Sequence, residues 1–174
     1  LLTMATPFDR GSRWRLAALA LSMLLPSLGT SIANVALPSL ETAFAASFNE
    51  VQWVVISYLL AVTTLIVGVG RLGDQIGRRD LLLAGIGIFA IASAGAALAP
   101  TLGVLIAARV VQGLGAAIMM ALSVASVSDI MPKERIGGAM GLLSSVSAIG
   151  TALGPSLGGA LLSWASWPAL FLVM

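Results

Sequence analysis

Arg109, inside the apolar run "LIAARVVQGLGAA" (105–117), is the residue in this sequence that is most costly to place. A guanidinium keeps its charge at any physiological pH, so Arg109 offers fixed positive charge and hydrogen-bond donors rather than a transferable proton. Gln112 and Gly113 follow at i+3 and i+4 on the same helical face and supply a hydrogen-bond partner and space. A second chemically dense stretch, "GRLGDQIGRR" (70–79), packs three arginines and an aspartate among three glycines. Asp129, in "SDIMPKER", is placed to join it on one face. The chain has no Cys and no His, which excludes disulfides, thiolate or imidazole metal sites, Cys nucleophiles and His-based acid–base catalysis. None of the seven acids lies in the middle of an apolar run, so no buried carboxylate pair is expected. With no nucleophile–base pair and no metal-ligand set, neither an enzyme nor a cofactor is expected.

The elements that must hold these residues are membrane spans. The chain is 59% hydrophobic and 9% charged, with a mean hydropathy of +1.04. A soluble domain keeps about a quarter of its residues charged to cover its surface. A transmembrane helix takes roughly 20 mostly apolar residues to cross a hydrocarbon core about 30 Å thick. Five complete spans are expected at 16–40, 51–70, 81–99, 102–128 and 137–162, with a sixth opening at 168 and cut off at 174. Residues 1–15 read as an amino-terminal segment outside the bundle. The first span is too long for the apolar core of a signal peptide and lacks a small-x-small cleavage site.

Basic residues set the expected orientation. Arg10, Arg13 and Arg15 precede the first span, Arg71, Arg78 and Arg79 lie between the second and third, and Lys133 and Arg135 lie between the fourth and fifth. The connections "ETAFAASFNE", "PT" and "SWASW" carry no Lys or Arg. Positive residues are retained on the cytoplasmic side, so the amino terminus is expected inside. Trp53, Trp164 and Trp167 then fall at the outer interface, where amphipathic rings settle. The sequence pI near 9.9 is explained by this topology, and no nucleic-acid partner is expected. Arg109 alone escapes the pattern. It lies roughly 12 Å along the axis from the outer end of its span, and an ionisable residue at that depth is a functional candidate by default.

The residues also carry a resemblance. "GRLGDQIGRR" resembles the signature that the major facilitator superfamily places between its second and third helices. "LIAARVVQGLGAA" resembles the Arg-x-x-Gln-Gly signature of the fourth helix, and "GTALGPSLGG" (150–159) the Gly-Pro-x-x-Gly-Gly signature that marks drug:proton antiporters on the fifth. "TSIANVALPSL" (30–40) is similar to the first-helix signature of the fourteen-helix branch of those antiporters. The four motifs occur in order and on the expected spans. The resemblance implies an all-α integral membrane fold, the amino-terminal half-bundle of a major facilitator, and an amino-terminal fragment of a longer transporter. Its two sets of three spans would form inverted repeats around a midplane site.

Each motif supports a plain reading beside the implied one. In the loop, Arg71, Arg78 and Arg79 are anchors that any basic connection would supply. The resemblance makes Gly70, Leu72, Asp74, Gly77, Arg78 and Arg79, with Asp129, a cytoplasmic gate latch, in which a carboxylate–guanidinium–carboxylate cluster locks one conformation. Asp74 is also placed to favour a helix N-terminus on the other half of the transporter. Arg109, with Gln112 and Gly113, either ties helices together through carbonyls and water or, as the resemblance implies, takes part in proton coupling by biasing a carboxylate or a water chain. Gly150, Gly154 and Gly158 recur at four-residue spacing and permit close helix packing. With Pro155 and Gly159, the resemblance makes them an antiporter kink that seals the cavity. Thr30, Asn34 and Gln112 either line a substrate cavity or bond between helices. Met119 and Met120 offer adaptable apolar surface.

Two positions depart from the pattern. Gly29 stands where the related antiporters usually carry an aspartate, and "PALF" replaces a more polar opening of the sixth helix. The expected function is proton-coupled efflux of amphipathic or cationic drugs across a bacterial inner membrane, driven by the proton gradient. The expected partners are the substrate, the bilayer and the carboxy-terminal half of the transporter. The alternatives are a transporter of the same superfamily for a sugar or metabolite, or a non-transporting or inactive half-bundle.

Overall fold

The computed structural model describes residues 10–174. Of the expected segment 1–15, the first nine residues lie outside the described residues. Among the described residues, five helices are long and apolar enough to cross a bilayer. In chain order the helices are α1 (Arg10–Phe44), α2 (Phe48–Val51), α3 (Trp53–Ile76), α4 (Arg78–Ala97), α5 (Leu102–Ile130), α6 (Ile136–Trp164) and α7 (Pro168–Leu172), with a 3-10 turn at Lys133–Arg135 before α6.

Most helices outrun the apolar windows that predict them, because polar residues at the ends continue a helix that hydropathy has stopped reporting. α1 spans 35 residues, about 53 Å at 1.5 Å per residue, and passes through Pro26 and Pro38. It ends at Ala45, whose φ of 47° is the left-handed turn that terminates many helices. The short α2 begins with a capping box, in which the Glu50 carboxylate accepts from both the backbone N–H and the hydroxyl of Ser47. α5 begins at Leu102, where Thr101 Oγ1 accepts from the Val104 N–H at 3.3 Å.

The stretch 70–79 differs most from expectation. It is not a loop. α3 continues to Ile76, α4 starts at Arg78, and Gly77 alone separates them. Gly77 adopts φ +106° and ψ 125°, a region open essentially to glycine. Gly70 is inside α3 with no neighbour near its Cβ direction, and Gly73 faces Leu122 of α5. The reversal of direction thus falls on one of the three glycines.

The packing order places the site. α3 and α4 both lie along α5, α1 lies along α6, and a contact between α1 and α5 joins the two groups. The first helix of each expected repeat therefore pairs with the second helix of the other, which is the exchange that inverted repeats produce. α7 returns against α4. Trp167 is turned onto Phe44 and Phe171, with centroids 5.3 and 6.0 Å apart. It is packed inward, whereas Trp164 is 92% exposed. The core runs as one apolar cluster of α1, α2, α3, α4, α5 and α7 residues at the end of the bundle opposite the arginines, and as further clusters toward and at the arginine-rich end.

Two glycines of the same motif should respond oppositely to alanine. Gly77→Ala should cost about 1–3 kcal/mol of strain, whereas Gly70→Ala should gain about 0.5–1 kcal/mol of helix stability. Thermal unfolding in detergent measures both.

Candidate functional site

Arg109 is completely buried, and its guanidinium is satisfied by oxygens from three helices. Nε donates to the Val54 carbonyl of α3 at 3.0 Å, and Nη2 donates to the Gly29 carbonyl of α1 at 3.1 Å. Nη1 donates to Oε1 of Gln112 on its own helix. Gln112 passes the chain of bonds on, since its Nε2 donates to Ser93 Oγ of α4 at 2.7 Å. The Tyr58 ring lies under the guanidinium, 4.1 Å from Cζ, and Phe171 of α7 stands at 5.9 Å. The Tyr58 hydroxyl donates to the Pro26 carbonyl at 2.9 Å, which fixes the ring. Among the described residues every acceptor of Arg109 is a neutral oxygen.

The local sequence explains why this geometry is reachable. Gly113 follows the i+4 rule and faces α3 so closely that a Cβ there would stand 2.8 Å from the Tyr58 carbonyl. α3 and α5 therefore approach close enough for Arg109 to reach a backbone oxygen. Gly29 leaves the α1 surface low at the same level, and its carbonyl takes the third bond. At the position where an aspartate is expected, the chain supplies a backbone dipole.

The second cluster lies at the arginine-rich end. Arg78 Nη2 is 3.0 Å from Asp74 Oδ1, and Nη1 is 2.8 Å from Asp129 Oδ2. Nη1 also donates to the Ala125 carbonyl at 2.8 Å. Asp74 closes the last turn of α3, Asp129 closes the last turn of α5, and Arg78 opens α4. Each charge sits at the end of its helix that the backbone dipole disfavours, and the three compensate one another. Asp74 stands at a helix C-terminus, not in a loop. The cluster is wet: the carboxylates are 63% and 56% exposed, and a cavity of about 710 Å³ opens beside it between α1, α4 and α5. Arg15 and Arg79 line that cavity, whereas Gly70 and Leu72 take no part in the ion pairs.

On α6, Gly150, Gly154 and Gly158 are buried against α1, facing Leu24 and Ser27, Ser31, and Val35 respectively. Gly159 points into open space and is outside that seam. The helix continues unbroken through Pro155. On α1, Thr30 and Asn34 point to a more open face, with Thr30 Oγ1 donating to the Pro26 carbonyl and Asn34 Nδ2 to the Thr30 carbonyl. Gln112 cannot line a cavity with them, because it is fully buried and both ends of its amide are engaged. Met119 is likewise enclosed. The sequence reading missed Tyr58, the only tyrosine of the chain, and Ser93. A phenol and a hydroxyl inside apolar spans were the available signal.

Comparison with known proteins agrees with this architecture. The profile described as Major Facilitator Superfamily matches residues 19–174. A Salmonella typhi protein whose name, MdtD, assigns it provisionally to multidrug resistance is 38% identical over 97% of this chain, as is its Salmonella paratyphi B counterpart. The chain spans 36% of the length of these curated relatives. The crystal structure of a bacterial homologue of the human lysosomal transporter Spinster, in an inward-facing and unoccupied conformation, superposes with a TM-score of 0.82. It shares 18% identity and covers 97% of this chain and 40% of its own, a likeness of fold.

Arg109→Lys keeps the charge but cannot span three acceptors in three directions. It should lower stability by about 2 kcal/mol or more, read as a lowered melting temperature in detergent. For the cluster at the arginine-rich end, Arg78→Ala should cost about 1 kcal/mol or less. Adding Asp74→Asn to it should recover part of that loss, because a carboxylate at a helix C-terminus is then removed; a double-mutant cycle of melting temperatures checks this.

Proposed function

The chain belongs to the major facilitator superfamily, and on that premise we propose that it is the amino-terminal part of a proton-coupled exporter of amphipathic or cationic drugs. The single observation that carries this reading is the 38% identity to MdtD, sustained over 97% of the chain. The buried Gly150–Gly154–Gly158 seam around Pro155 supports it, since that motif resembles the antiporter signature. The arginine-rich end faces the cytoplasm of a bacterial inner membrane, by the retention of positive residues on that side.

In this reading the bundle contributes one wall of a cavity, with Thr30 and Asn34 on its open face, and the remaining length seen in the relatives contributes the other. Asp74, Arg78 and Asp129 form the gate latch. Being wet, the cluster holds weakly in isolation and strongly only when the other half covers it. Arg109 acts in coupling without carrying the proton. Its bonds to the Gly29 and Val54 carbonyls hold α1 and α3 in register, so a shift of its guanidinium moves both. The proton carrier is a carboxylate on the part of the transporter that follows these residues. The proton gradient is the energy source, and no cofactor is required.

The test is efflux of ethidium by inverted membrane vesicles containing this chain joined to the remaining length of its relatives. Dye accumulation should follow an imposed pH gradient and stop when nigericin collapses it. Accumulation that survives the collapse contradicts proton coupling. Transport of a sugar or metabolite without dye contradicts drug export.

A further inference from the structure

A proline inside a helix cannot donate to the carbonyl four residues earlier. For Pro155 that carbonyl belongs to Thr151. In the structure it accepts a hydrogen bond from across the helix pair, from Ser31 Oγ of α1 at 2.7 Å. The direction of that hydroxyl is unusual for this chain. Ser22, Ser27, Thr30, Thr42, Ser145 and Thr151 all donate back to the carbonyl four residues earlier in their own helix, the default for hydroxyls in apolar helices. Ser31 instead points outward into α6. It can do so because Gly154 has no side chain: a Cβ there would overlap that of Ser31.

The neighbouring bridge differs in kind. Ser27 Oγ lies 2.6 Å from Ser147 Oγ, but the Ser27 proton is already given to the Met23 carbonyl at 2.8 Å. Ser147 is therefore the donor across the seam, and neither group answers a defect in a helix. One turn away on α1, Ser31 answers the one that Pro155 creates.

We propose that Ser31 and Pro155 are a matched pair, in which the Ser31 hydroxyl replaces the hydrogen bond that Pro155 removes from α6, with Gly154 providing the opening. Ser31 is a positioning residue. It fixes α6 on α1 next to Gly29, whose carbonyl holds Arg109, and next to Thr30 on the open face. The break in α6 is thereby tied to the segment of α1 that carries the buried network. The inference rests on the helix pair alone and stands whatever the protein transports.

The experiment is a double-mutant cycle of Ser31→Ala and Pro155→Ala in detergent, with an isotope label on the Thr151 carbonyl read by infrared spectroscopy. In the native background, Ser31→Ala should move the Thr151 amide band to higher wavenumber and lower the melting temperature by about 1–2 °C. In the Pro155→Ala background the residue at 155 has an N–H to offer, so Ser31→Ala should leave both readings unchanged. Ser27→Ala should give the same melting shift in both backgrounds and leave the label unmoved. If Ser31→Ala does not fold, recovery of folding by Pro155→Ala supports the pairing, and failure to recover overturns it. Equal effects of Ser31→Ala in the two backgrounds, or a label that never responds, also overturn it.

Discussion

A guanidinium buried among apolar helices has to be solvated by the protein, and the bundle is arranged around that requirement. Desolvating such an ion costs several kcal/mol even after relaxation. Three charge-assisted bonds, at about 1.5–3 kcal/mol each, are of the size needed to offset it. For Arg109 they come from Gly29 on α1, Val54 on α3 and Gln112 on α5. Gln112 extends the network to Ser93 on α4, and Phe171 brings the edge of α7 to it. Five helices thus meet at one cation. Small residues at Gly29 and Gly113 follow from this, because backbone oxygens can serve as acceptors only where helices come close.

The other polar clusters are weaker and lie further out. The Asp74–Arg78–Asp129 ion pairs are more than half exposed on their carboxylate side, where such pairs contribute about 1 kcal/mol or less. They suit a contact that forms and breaks. The seam of α1 and α6 is held by close packing of Gly150, Gly154 and Gly158 together with two hydroxyl bridges. Bonds of that kind in membranes are worth about 0.6 kcal/mol on average. The magnitudes order the structure: a fixed centre at Arg109, an adjustable seam at α6, and a labile cluster at the arginine-rich end.

How much of this the sequence discloses follows from which atoms do the work. Arg109 and Gln112 are visible as polar side chains in an apolar run, and their spacing puts them together. The partners of Arg109 on α1 and α3 are carbonyls, which every residue has, so no sequence pattern marks Val54 or Gly29 as acceptors. Gly29 reads as a missing carboxylate because a side chain was sought where the backbone serves. The span boundaries stop short because hydropathy falls at Arg71 while helix formation does not; α3 runs on to Ile76 and turns at Gly77. Gln112 reads as a cavity residue by its polarity, and only packing shows that both ends of its amide are engaged. Gly159 belongs to the motif by pattern but points away from the seam that Gly150, Gly154 and Gly158 form.

The central interaction is the hold of backbone carbonyls of α1 and α3 on the Arg109 guanidinium. Solid-state NMR dephasing between guanidinium ¹⁵N and carbonyl ¹³C labels at Gly29 and Val54, in lipid bilayers, measures this directly. Hydrogen bonds of ordinary length place both carbons about 4 Å from the nitrogens, and strong dephasing from both labels is the predicted result. No dephasing from either label, with the guanidinium instead in exchange with water, would contradict the account.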